Sequence, residues 1–218
     1  MSYQMRMVLP TTRTRVLAAA MAIAVLVTVL ACGPGREEGS AGPDSPPVSD
    51  ATTPAETKGA PMNGELKVIS SAYAEGGRIP VEHCFTTVSG GKNRSVPLEW
   101  SSGPEGTQSY VIVMLDRSAG DFVHWMAVDI PAGTTSLPPG ASGSMPAGTK
   151  ELAGDFGMTG YGGPAAPPGT GDHRYETTVY GLSVASVGLS GHASAADLGR
   201  AIEGKVLAKG ALSGVFSR

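Results

Sequence analysis

Two separated histidine-bearing blocks hold most of the side chains that could do chemistry. VIVMLDRSAGDFVHWMAVDIP, from Val111, contains Asp116 and His124, and GYGGPAAPPGTGDHRYETTVYGL, from Gly160, contains His173. A histidine beside a carboxylate has its protonated form stabilised, and two histidines can offer ring N–H groups to the oxygens of a phosphate or carboxylate. The backbone N–H groups of Gly162 and Gly163 can approach an anion closely because no Cβ intervenes. Together these groups suit recognition of a small anionic head group, with Asp116 as orienter of a histidine and not as ligand contact. His83 and His192 fall outside both blocks and are expected at the surface.

Such a set needs a rigid scaffold that carries loops. Leu66 to Ser70, Tyr110 to Leu115, Phe122 to Ile130 and Tyr175 to Leu182 are short apolar or alternating runs rich in Val, Ile, Tyr and Thr, bounded by Gly or Pro, and read as strands. Trp125 belongs to the core, its indole N–H seeking one partner. A helix is expected over Ala193 to Glu203, with Ser194 as N-cap, Asp197 in the first turn and Leu198 and Ile202 on one face. The fold class that follows is all-β: an antiparallel sandwich with a small peripheral helix.

Not all of the 218 residues belong to that scaffold. Arg6, Arg13 and Arg15 precede an uncharged run from Val16 to Ala31, the pattern of a secretory signal; the run is short of the roughly 20 residues that a membrane span needs. Val29-Leu30-Ala31-Cys32 resembles a bacterial lipobox, with Val29 where Leu is usual and Leu30 where a smaller residue is usual. The resemblance implies cleavage before Cys32 and its diacylation, so that acyl chains, palmitate among them, attach the protein to a membrane. From Gly33 to Asn63 there are six prolines among small polar residues, too little apolar surface to offset ordering entropy. The expected organisation is therefore a signal over 1–31, a lipidated and disordered tether over 32–63, and one domain over 64–218.

Charge and cysteine content exclude several function classes. The net charge is −3, with acids and bases interspersed in the domain and no basic patch, which argues against nucleic acid. With Cys32 acylated, Cys84 has no partner for a disulfide and is expected to be a buried, inert thiol. There is no CxxC, HExxH or paired cysteine cluster, so neither a structural metal nor a cofactor is expected.

The collinear series GGRIPVEHC, SVPLEW, SYVIVMLD, DFVHWMAVDIP, GYGGPAAPPGTGDHRY and GKVLAKGALSGVFSR resembles the phosphatidylethanolamine-binding protein family, and within it the bacterial Raf kinase inhibitor-like branch. The resemblance covers nearly all of residues 65 to 218. It implies a Greek-key β-sandwich with a small anion-accepting pocket at one end. It also implies that Asp116 stands for the first acid of the family's DPDAP motif, His124 for the histidine of its His-Trp element, and His173 for that of Gly-x-His-Arg-Tyr. Tyr161 and the turn Gly162-Gly163-Pro164 correspond to the tyrosine and loop that close over the pocket, and Pro97 to Trp100 to a strand entry.

One departure stands out. In place of DPDAP this chain has Asp116-Arg117-Ser118-Ala119-Gly120, which lacks both prolines and the second acid. A looser loop is expected, along with easier anion entry and a further rim donor in Arg117. Three classes of function follow. The first is a membrane-tethered extracytoplasmic module that holds a small anionic ligand. The second is an inhibitor or scaffold that binds a protein through the pocket rim, as the family's eukaryotic members bind kinases. The third is a weak hydrolase using Asp116, His124 and His173, disfavoured by the lack of a GxSxG elbow and of a second carboxylate.

Overall fold

The computed structural model describes residues 64–218. The signal, Cys32 and the tether lie outside the described residues. In chain order the strands are β1 (Gly64–Glu65), β2 (Val68–Ile69), β3 (Gly77–Arg78), β4 (Leu98–Trp100), β5 (Ser109–Asp116), β6 (Phe122–Pro131), β7 (Ser136–Leu137), β8 (Lys150–Glu151), β9 (His173–Leu182) and β10 (Val206–Phe216), with the helix α1 (Ala195–Ile202) before β10. One sheet has the order β1-β10-β9-β5-β6-β8, with β3 also pairing with β10, and β2-β4-β7 form a second. β5 and β6 are a hairpin, and β9 returns to the other side of β5, the crossing that gives a Greek key.

The four long strands are antiparallel neighbours, and alternation assigns their faces. Tyr110, Ile112 and Met114 of β5 join Leu98, Trp100, Trp125 and Tyr175 in the core between the sheets. Val111, Val113 and Leu115, from the same strand, point the other way, against Leu198 and Ile202 of α1. This two-sided burial explains why β5 reads as a continuous apolar run and not as an alternating one. The helix begins in a capping box, Ser194 accepting from Asp197 N while Asp197 accepts from Ser194 N. Burial of Leu198 and Ile202 then stabilises its docking by about 1.5–3 kcal/mol each.

Two interruptions of the β5–β6 ladder matter more than its regular part. Leu115 pairs with Val123 and Met114 with Trp125, so His124 is an unpaired extra residue. A bulge re-aims a side chain, and this one leaves His124 and Trp125 on the same inner side. Trp125 is fully buried and donates its indole N–H to Glu151 at 2.7 Å. The second irregularity, between Tyr110 and Ile112, is fixed by the buried carboxylate of Asp129, which binds Lys150, Ser186 and the N–H of Val187.

The structure corrects one surface expectation. His83 is only 2% exposed and lies in a single 3-10 turn, Val81–His83, with Nδ1 2.7 Å from the carbonyl of Arg94. The local sequence gave no sign of burial because the turn is irregular and has no periodic face. His192 is exposed, beside Asp155 at 3.6 Å, and Cys84 is buried, its thiol pushed up to about 12 by desolvation.

Candidate ligand site

Strand register gathers the site at one end of the large sheet. Asp116, the last residue of β5, stands opposite both Phe122 at the start of β6 and Tyr175 in β9. His173 precedes Tyr175 by two residues, so both point to the same face of β9. The bulge supplies His124. These side chains floor a cavity of about 190 Å³ whose wall is completed by Phe156 and by the loop segment Ala165 to Pro167.

Asp116 is 3% exposed and fully engaged. Its Oδ2 lies 2.6 Å from His173 Nδ1, and its Oδ1 accepts from Ser118 N at 2.9 Å. The carboxylate thus holds the ring of His173. The other ring nitrogen, Nε2, is 3.0 Å from Thr170 Oγ1, which is itself 2.8 Å from the carbonyl of Pro167. By rotating its hydroxyl, Thr170 can either accept Nε2–H or donate to a bare Nε2.

His124 is set differently. Its Nδ1 is 2.7 Å from the carbonyl of Gly162, which can only accept, so the proton is on Nδ1. The ring stands edge-on between Phe156 and Tyr175, with centroids 5.1 and 5.0 Å away. Burial among these rings holds its pKa below the ordinary histidine range, although the Gly162 carbonyl and Asp116 pull the other way. Tyr175 is wholly buried, and its hydroxyl, beside Asp116 and the N–H of Ala165, completes no hydrogen bond of good geometry among the described residues. Burial and the adjacent carboxylate hold that phenol protonated, its pKa raised. A protonated, unpartnered donor at the floor of a cavity is a position for a ligand oxygen.

The site brings together Asp116, His124 and His173. It does not include the other expected contacts in the form expected. Tyr161 is a core residue, 2% exposed, stacked edge-on against Trp125 and donating its hydroxyl to the carbonyl of His83 at 2.9 Å. The N–H of Gly162 donates to the carbonyl of His124 and that of Gly163 to Asn93 Oδ1, both at 2.7 Å, so neither is open to an anion. Pro164 receives Phe85 N–H on its carbonyl, and the wall begins one residue later. These residues shape the site from behind. A Cβ on Gly163 would collide with the backbone carbonyl of His83, and one on Gly162 with the ring of Phe156.

Arg117 is likewise not a rim donor. It turns to the outer face of the sheet, where it bonds Glu176 and Asp121 at 2.6 and 2.8 Å. What the missing prolines would have fixed is held by those pairs, by the Ser118 N–H on Asp116, and by Gly120 and Asp121 at φ of 66° and 63°. The groove beside Arg117, about 510 Å³ in volume, is larger than the histidine cavity. It is an open surface feature whose central charges already neutralise each other, whereas the smaller cavity has buried convergent polar groups.

Several contributors were not legible in the sequence. Asn93, at φ 50°, bonds the carbonyl of Tyr161 and the N–H of Gly163, fixing the turn behind His124. Arg218 donates to the carbonyls of Ala166, Ala165 and Thr87 at 2.6, 3.2 and 3.2 Å, tying the cavity wall to the loop that carries Phe85. Phe85 in turn stacks on Phe156 at 4.8 Å. Tyr175 alone had a usable signal, its two-residue spacing from His173 on a strand.

Comparison with known proteins defines the class. The family model for phosphatidylethanolamine-binding protein matches residues 69–217, and the chain belongs to that family. The UPF0098 protein YbhB of Escherichia coli is 36% identical, over 70% of this chain and all of its own length. "Putative lipoprotein LppC" of Mycobacterium tuberculosis is 35% identical over 88% of this chain and 93% of its own. The crystal structure of E. coli YbcL, described as a member of the mammalian PEBP family, superposes with a TM-score of 0.66 at 31% identity, covering 71% of this chain and 99% of YbcL.

Proposed function

We propose that this chain is a membrane-tethered binding module that holds a small phosphate- or carboxylate-bearing ligand without turning it over. The observation that carries this reading is the cavity floor: His173 fixed by Asp116 at 2.6 Å, next to the buried and unpartnered hydroxyl of Tyr175. His173 Nε2–H, released from Thr170, is a donor on the cavity lining, and the Tyr175 hydroxyl beneath it becomes a second one where a ligand displaces the packing over it. The size of the cavity suits a head group and leaves any longer substituent outside.

The geometry favours binding over hydrolysis. Asp116 has both oxygens engaged, by His173 and by the N–H of Ser118, an arrangement that serves to hold the histidine and not to activate a water. The hydroxyl of Ser118, two residues after Asp116, accepts the N–H of Arg174. Membrane attachment is supported by the relative from M. tuberculosis, whose similarity runs over 198 residues and so extends upstream of the described domain. Among the described residues no helix is long and apolar enough to cross a membrane. In this reading the chain is held through Cys32 on the extracytoplasmic side.

Thermal unfolding of the full chain in the presence of phosphate, phosphoethanolamine or acetate tests the reading. A ligand at 100 times its Kd adds about 2.7 kcal/mol and raises Tm, and His173→Ala should remove the rise. Indifference to all three anions at millimolar concentration rules the reading out.

A further inference from the structure

We infer that His124 makes the cavity selective for oxyacids that still carry a proton, because its Nδ1–H is committed to the Gly162 carbonyl and the Nε2 lone pair is the acceptor left for the ligand. The inference rests on the anion-binding reading and narrows its ligand class. Gly162 lies behind the cavity wall and His124 lines the cavity, so the nitrogen opposite Nδ1 is the one turned towards the ligand. The Nδ1 bond is the one hydrogen bond of good geometry that the ring makes among the described residues, the carbonyl of Gly163 being the other backbone acceptor near it. The aromatic rings around the imidazole and its burial disfavour a second proton there.

The polar groups at the cavity are thus of mixed kind. Tyr175 and His173 offer protons, whereas His124 asks for one. A phosphate monoanion or a phosphate monoester bearing one P–O–H satisfies all three, giving its hydroxyl proton to Nε2 as a hydrogen bond and accepting on its bare oxygens. Sulfate, fully deprotonated near neutrality, presents only lone pairs. Opposite Nε2 it would set lone pair against lone pair, and Asp116 behind His173 adds a like charge. A site built to receive a donor rejects the analogue that lacks it, because its buried polar atom is left unpaired.

Equilibrium titrations of the full chain in neutral detergent with inorganic phosphate and with sulfate, at pH 6.5 and equal ionic strength, decide the matter. Phosphate should bind at least about tenfold more tightly than sulfate, the ratio expected from one unpaired buried acceptor. Calorimetry in two buffers of different ionisation enthalpy should show with phosphate only the small fraction of a proton that converts the dianion present in solution to the monoanion. His124→Gln, whose amide can donate as well as accept, should shrink the ratio by admitting sulfate. Sulfate binding within twofold of phosphate, or uptake of about one proton per anion, overturns the selectivity while leaving anion binding intact. Binding of neither anion overturns both.

Discussion

Single atoms at the cavity floor have separable roles. The Tyr175 hydroxyl is buried without a hydrogen bond, so it contributes little to the fold that a phenylalanine would not. Tyr175→Phe should leave stability within about 1 kcal/mol of the parent, while phosphate affinity, followed by titration, falls about tenfold with the loss of one donor. A comparable loss of stability and affinity would mean that the hydroxyl is structural. His173 differs because its ring is tied to a buried carboxylate, and its removal strands Asp116. The binding effect of His173→Ala is therefore to be read beside that of Tyr175→Phe.

At the scale of the elements, the bulge in β6 and the turn at 161–164 form one device. The turn approaches β6 and the 83–85 segment so closely that only glycine fits: the N–H of Gly162 meets the carbonyl of His124, and a Cβ at Gly163 has backbone on every near side. Backbone cannot yield as a flexible side chain can. Gly163→Ala should thus cost about 3 kcal/mol or more, measurable by denaturant unfolding, and should displace His124 as the turn is pushed away. A variant as stable as the parent would show that the turn is plastic and its hold on His124 weak. These glycines are needed for packing, where the sequence had suggested anion contact.

For the whole molecule, pH and anchoring are the accessible readouts. Burial lowers the folded pKa of His124, so between that value and the unfolded value of about 6.5 the unfolded chain binds more protons. Stability is then flat above about pH 6.5 and falls as pH drops below it, this contribution continuing to decline until the folded ring also titrates. Urea midpoints measured from pH 7.5 down to 5 should show the decline, and His124→Gln should flatten it. An identical slope in that variant would assign the decline to other groups. Anchoring has its own test: Cys32→Ser should leave the precursor uncleaved or release the protein from membranes, and unchanged detergent partitioning would contradict acylation.

The sequence by itself determined four strand segments, the helix, and Asp116, His124 and His173 as candidates, but not β10, the longest strand. The strands and the helix follow from local period and capping: the apolar run of β5 and Ser194 with Asp197 at the helix start were legible as such. The tertiary structure alone decided how the histidines are loaded. The Nδ1 proton of His124 depends on a carbonyl 38 residues away, and the hydroxyl of Tyr161 is claimed by a carbonyl 78 residues away. Arg117 is drawn outward by Glu176, 59 residues on, and Asn93 occupies the N–H of Gly163 from a distance of 70. Backbone period encodes where a side chain points. Which partner satisfies it depends on chain segments that meet only when the two sheets close, and hydrogen bonding is decided by that meeting.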